Sequence, residues 1–166
     1  MKKIIYLLIS MILLLSFFSC NHTKKLAIKY NDAIIVEQRK VVNKENDLTA
    51  AIKQNTNNLD SILTGLIKQV EESTAIISKL EVFENNNEFK VGALKLFEVY
   101  NSVATNEYKA WLLNLKTPLE LVDDKVLDEE KELISSINGK IDKALAEFTK
   151  VQLDYAAKYK FKHLKE

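Results

Sequence analysis

Cysteine, proline and glycine are nearly missing from this chain: one Cys, one Pro and three Gly among 166 residues. A lone cysteine closes no internal disulfide and supplies no zinc-type cysteine pair. So few turn-forming residues exclude a many-stranded β protein, which needs them between strands. Charge of one sign is missing as well. The chain holds 24 basic and 23 acidic residues, a net charge of +1, with no basic excess of the kind that binds nucleic acid. Histidine is confined to His22 and His163, near the two ends. No Glu-x-x-His pair exists, so the di-iron carboxylate centre that some helical bundles carry is not expected. There is no glycine-rich phosphate loop, no nucleophile elbow, and no spacing of Ser, His and acid that suggests a triad. The expectation is a protein without catalytic activity, metal or cofactor.

What is present begins at the N-terminus. Lys2 and Lys3 form a positive start, residues 4–18 are an almost unbroken apolar run, and Ser19-Cys20 follow. A basic start, an apolar stretch of this length and a closing small residue are the parts of a secretory signal. With the small residue set directly before the only cysteine, the pattern resembles a bacterial lipoprotein signal, Phe17 and Phe18 making it a looser version of the usual box. The resemblance implies that residues 1–19 are removed and that Cys20 is lipidated and becomes the mature N-terminus. The alternative is a retained membrane anchor. That reading fits less well, since a crossing helix needs about twenty apolar residues and this run is shorter and interrupted by Ser10 and Ser16. Asn21 rather than Asp follows the cysteine, which points to the outer membrane over the inner if the organism has one. Loss of Lys2 and Lys3 takes the net charge from +1 to −1 and leaves enough chain for one domain with a modest core.

Residues 20–25 are expected to be the lipidated start and a polar tether, and residues 26–166 a helical domain. Tyr30, Ile34, Val41, Leu48 and Ile52 recur at steps of four and seven and make one stripe of a first helix. The run Asn55-Thr56-Asn57-Asn58 breaks it, because these side chains compete for backbone hydrogen bonds. Leu59, Ile62, Leu66, Val70, Ile77 and Leu80 form a second stripe, ended by Asn85-Asn86-Asn87. A third helix over 88–115 turns Phe89, Ala93, Leu96, Tyr100, Val103 and Trp111 inward. Thr117-Pro118-Leu119-Glu120 reads as a capping box that starts a helix or at least one turn. The last stripe holds Leu127, Ile134, Ile137, Ile141 and Leu145, then Phe148, Tyr155 and Tyr159. An unbroken helix from Pro118 to Tyr159 would be about 60 Å long and would overhang its neighbours. A break or bend is therefore expected at Asp123-Asp124 or at Asn138-Gly139, unless Gly139 serves close helix packing instead. Four stripes with short connections give an all-α, up-down-up-down four-helix bundle.

That topology brings Lys24, Lys25 and Lys29 to the same pole as Lys158, Lys160, Lys162 and Lys165. These either form a basic collar facing an anionic bilayer or stay solvated and complement the helix dipole, Glu81, Glu84 and Glu88 lying at the same pole. Several polar residues fall on inward stripes: Gln38, Glu107 and Gln152, with Glu45 as a further candidate. A buried carboxylate or amide needs a partner. The group Gln38, Tyr100, Glu107, Trp111 and Gln152 is thus either a satisfied network that fixes helix register or, with Tyr108, the lining of a small cavity. Arg39, the only arginine, is a partner for a carboxylate or a surface residue.

Tyr30-Asn31-Asp32 with Gln38, Phe97-Glu98-Val99-Tyr100 leading to Asn106-Glu107-Tyr108, and Phe148 with Gln152 and Tyr155-Ala156-Ala157-Lys158-Tyr159 carry a further likeness. Through these segments the chain resembles a family of uncharacterised small bacterial surface lipoproteins. The resemblance implies a lipid-anchored helical envelope protein and brings no activity or cofactor with it. Two functions are compatible with the sequence. The first is a structural or protein-interaction role, held at the membrane by Cys20 and directed at an unknown envelope protein, with an exposed apolar patch expected at Ile35, Val36 and Val42. The second is a small-ligand-binding module with a polar pocket between helices.

Overall fold

The computed structural model describes the backbone of residues 2–162 and the side chains of residues 22–162 apart from that of Leu119. The side chains of the expected signal and of Cys20, together with His163 and Lys165, lie outside the described residues.

The chain makes four helical rods and, among the described residues, no strand. Helix α1 covers Lys2–Lys53 and α2 Leu59–Lys79. The third rod is α3 (Glu88–Val103), a π turn (Ala104–Tyr108) and α4 (Lys109–Asn114). A single 3₁₀ turn, Leu119–Leu121, precedes α5, Asp124–Lys158. The rods alternate in direction, as the stripes require. Residues 21–25, expected as a tether, are helical instead, because nothing in that segment stops a helix and Lys24, Lys25, Leu26 and Ala27 all favour one.

Each boundary has a local cause. At the end of α1 Asn55 adopts a left-handed backbone, φ 51°. The Asn55 amide donates to the Ile52 carbonyl (3.0 Å) and the Thr56 amide to that of Ala51 (3.2 Å). This is a Schellman closure with asparagine at the left-handed position. The end of α5 repeats it around Lys160, φ 56°, with the Phe161 amide donating to Ala156 at 3.1 Å. Between α2 and α3 the two central residues of a tight turn, Glu84 and Asn85, have φ 47° and 59°, and the Asn86 amide donates to the Phe83 carbonyl at 2.8 Å. Two successive positive φ values define a type I′ turn, which here swings Phe83 over the end of the bundle. The expected box at Thr117-Pro118-Leu119-Glu120 gives one 3₁₀ turn, and α5 starts on a separate cap, Asp123 Oδ1 accepting from the Val126 amide at 3.0 Å. The break therefore falls at Asp123, and α5 runs unbroken through Gly139 for about 50 Å. A Cβ at Gly139 would meet open space, so neither a bend nor close packing explains that glycine.

The core follows the stripes. Ile34, Val41 and Leu48 on α1 are fully buried and meet Leu66, Val70 and Ile77 of α2 and Phe89, Leu96 and Tyr100 of α3. One change of register occurs. The π turn lets α3's inward face pass through Ala104, Glu107 and Tyr108 to Leu112, so Trp111, expected inward, is only partly buried. Leu127 is also exposed rather than inward, at 45 %; the half-buried Val126 and Glu130 face the neighbours there. Among the described residues the buried apolar side chains run from Ala27 to Tyr159.

At the pole where α1 enters the bundle, the rings of Tyr30, Phe83, Phe89, Tyr155, Tyr159 and Phe161 form a continuous cluster, with centroids 4.7–6.4 Å apart. Such tilted and offset pairs each add modestly to the area they bury. The opposite pole holds the turns 54–58 and 115–123, and the Lys116 ammonium on the Asp60 carboxylate at 2.7 Å ties the second of these to the first turn of α2.

Candidate functional site

The rods do not close evenly. Helix α1 packs along α2, α2 along α3, and α3 along α5, whereas α1 and α5 face each other across an open seam. Side chains bridge it: Gln152 Nε2 donates to Asn31 Oδ1 at 2.9 Å, and the Tyr155 hydroxyl to the Ala27 carbonyl at 3.4 Å. Along the seam lies a groove of about 690 Å³ lined by Lys24, Asn31, Ile35, Gln38, Arg39 and Gln152, among others.

The five polar and aromatic residues expected to act together are distributed over separate places. Gln38 and Gln152 share the seam groove, Gln152 buried and Gln38 partly so. Glu107, 9 % exposed, faces α5, where Oε1 is bonded by the Lys140 ammonium and by Ser136 Oγ at 3.4 Å; Oε2 has no partner among the described residues. Trp111 stacks on Tyr108 at 6.1 Å, and its indole donates to Glu130 Oε1 at 2.6 Å. Tyr100 is 2 % exposed, with its hydroxyl unpartnered. The physical reason is the π turn. It directs Glu107 to one flank and Tyr108 to the interior, and Tyr108, not Glu107, meets the first helix.

The Tyr108 hydroxyl donates to Glu45 Oε1 at 3.2 Å. Burial raises the Glu45 pKa above its ordinary value, the Asp142 charge across the seam raises it further, and the Tyr108 bond opposes both. Burial likewise pushes the Tyr108 phenol up to about 12 and raises that of Tyr100. Both hydroxyls stay neutral; that of Tyr108 donates to Glu45, and that of Tyr100 has no partner among the described residues.

A second buried polar contact lay outside the expectation. Glu37 and Ser73 are both buried between α1 and α2. Ser73 Oγ donates to Glu37 Oε2 at 3.0 Å and accepts from Gln69 Nε2 at 3.1 Å, and the Lys40 ammonium reaches Glu37 Oε1 at 2.6 Å. The signal was in the sequence: Glu37 stands at i+3 from Ile34 and Ser73 at i+3 from Val70, both on the inward arc.

The surface has its own pattern. Ile35 and Val42, two of the three residues expected in an apolar patch, pack partly against the core, and of that group only Val36 is well exposed. Among the described residues, four of the six well-exposed leucines stand instead at the pole away from the entry of α1: Leu113 is 60 % exposed and Leu121 67 %, with Leu115 and Leu127 beside them in the chain, while Leu26 and Leu153 stand towards the entry pole. Among the described residues no group of His, Cys, Asp and Glu is placed to hold a metal. None of their helices is long and apolar enough to cross a membrane, the run 4–18 lying outside the side chains described.

The class is thus an all-α four-helix bundle with one open seam and one apolar tip. No family model matches the chain, and neither a curated protein nor a solved structure matches it.

Proposed function

We propose that the chain is a lipid-anchored bacterial envelope protein with an interaction role, held through Cys20 at one pole and engaging a protein partner at the other. The observation that carries this reading is the gathering of Leu113, Leu115, Leu121 and Leu127 at the pole opposite the apolar N-terminal segment. Exposed apolar surface concentrated at one place marks interaction sites on soluble domains. The entry pole carries Lys24, Lys25, Lys29, Lys158, Lys160 and Lys162 on α1 and the end of α5, together with Glu81, Glu84 and Glu88 around the α2–α3 turn. Lysines close to an anionic bilayer contribute about 1 kcal/mol each. A photo-crosslinking residue at Leu121, in intact cells, tests the tip. A discrete adduct at Leu121 that is missing at Lys95, on the side of the bundle, is expected. No adduct at Leu121, or equal labelling at both, would overturn it.

A second reading, a small-ligand-binding module, has the seam groove in its favour, where Gln38 and Gln152 lie on facing walls. Native mass spectrometry of the chain from Asn21 onward checks it. A small-molecule adduct lost on Gln38→Ala supports the groove; a bare chain in every preparation removes the reading.

A further inference from the structure

The tip has a chemistry that narrows its partner, and this inference rests on the interaction reading above. Around the exposed leucines the connector and the first turns of α5 are acidic. Lys116 is paired with Asp60, Lys125 with Glu129 and Lys131 with Asp128. Glu120, Asp123, Asp124 and Glu132 have no cation within salt-bridge distance among the described residues. The Glu130 carboxylate is occupied by the Trp111 indole rather than by a cation. Lys116, Lys125 and Lys131 are thus already neutralised, Lys53 at the end of α1 is a further cation of the tip, and carboxylates still outnumber cations around Leu121 and Leu127.

We propose that the distal tip docks a partner protein whose surface is basic around an apolar recess. Three occupants compete for an apolar patch at the end of a rod: an anionic bilayer, a second copy joined tip to tip, and another protein. The acidic surround repels the first and, being of like charge on both copies, the second. Complementary charge steers the third and suppresses wrong partners. The leucines then supply the contact that desolvation rewards, inserted side chains at the centre of an interface contributing most of its energy. The carboxylates act mainly on encounter rate and on salt dependence.

Trp111, the only tryptophan, is at this tip and reports on it. The test uses the full chain in mild detergent, with two synthetic amphipathic helices of equal length, one of leucine and lysine and one of leucine and glutamate. Saturable change of Trp111 emission with the leucine–lysine peptide is expected, weakened by salt. The leucine–glutamate peptide should leave it unchanged. Leu113→Ser with Leu121→Ser should lower the affinity at least about tenfold without loss of helix content, since both side chains are solvent-exposed. Equal response to both peptides would overturn the basic preference. No response to either, or a response to the lysine peptide that survives the double substitution, would overturn the tip as its site. Sedimentation that shows self-association abolished by the same substitutions would assign the leucines to a second copy. A crosslink at Leu121 in cells combined with failure of the peptide test leaves the interaction reading standing and removes only the partner chemistry; failure of both removes both.

Discussion

Replacing Ser73 by alanine should destabilise the bundle by more than the loss of one hydroxyl suggests. Ser73 Oγ is fully buried and donates to Glu37 Oε2 at 3.0 Å. In Ser73→Ala that carboxylate oxygen keeps its charge and loses its donor, while Oε1 retains only Lys40. A hydrogen bond to a charged group contributes about 1.5 to 3 kcal/mol, and a buried acceptor left alone carries its desolvation cost. A loss of about 2 kcal/mol is therefore expected. In urea, with a slope of about 1 to 3 kcal/mol per molar, this moves the unfolding midpoint down by about 1 M. Far-ultraviolet circular dichroism of the chain from Asn21 onward measures it at neutral pH. The decisive step is a second background. Glu37→Met removes the charge and keeps the volume, and there Ser73→Ala should cost less by at least about 1 kcal/mol, because contacting residues couple. Equal shifts in the two backgrounds would refute the argument that this pair holds α1 against α2.

Three further outcomes follow from buried groups and backbone. Tyr100→Phe removes a hydroxyl that is buried without a partner, so a gain of about 1 kcal/mol in thermal or urea unfolding is expected; a loss would mean that an ordered water satisfies it. Glu45 has a raised pKa in the fold, so its ionisation costs stability as pH rises from the ordinary value of 4.5 through the raised one. Glu45→Gln, which still accepts from Tyr108, should exceed the parent in stability at neutral pH, with the difference shrinking as the pH falls towards 4.5 in paired melts. Gly139→Ala should stabilise by about 1 kcal/mol, since the position is helical and a Cβ there meets nothing; destabilisation would reveal a local distortion at that turn.

The periodic part of the fold was legible in the sequence, and its exceptions have physical causes. Apolar steps of four and seven place Ile34, Val41, Leu66, Val70 and Phe148 in the core because helix geometry is rigid. Asparagine runs mark two turns because asparagine tolerates the left-handed backbone, as Asn55 and Asn85 do. The π turn at Ala104–Tyr108 left no such mark. Its single-residue slip depends on which packing α5 and α1 offer, and it moved Trp111 outward and Tyr108 inward. Gln38 was expected on the interior and Glu37 was not, because α1 leans on α2 rather than sitting symmetrically between its neighbours, leaving Gln38 at the open seam. The apolar tip was hidden for a related reason. Leu127 has the spacing of a core residue, and only the three-dimensional end of the bundle decides that it is exposed.

The proposed anchor at Cys20 is the point on which the orientation of the whole molecule depends. The most direct measurement is the mass of the N-terminal peptide of the protein extracted from membranes of the cells that make it, alongside Cys20→Ala. The account predicts a peptide beginning at Cys20 with a lipid-sized mass increase, and loss of both cleavage and lipid in the variant. A peptide beginning at Met1, or an unmodified Cys20 in membrane-bound protein, would contradict it.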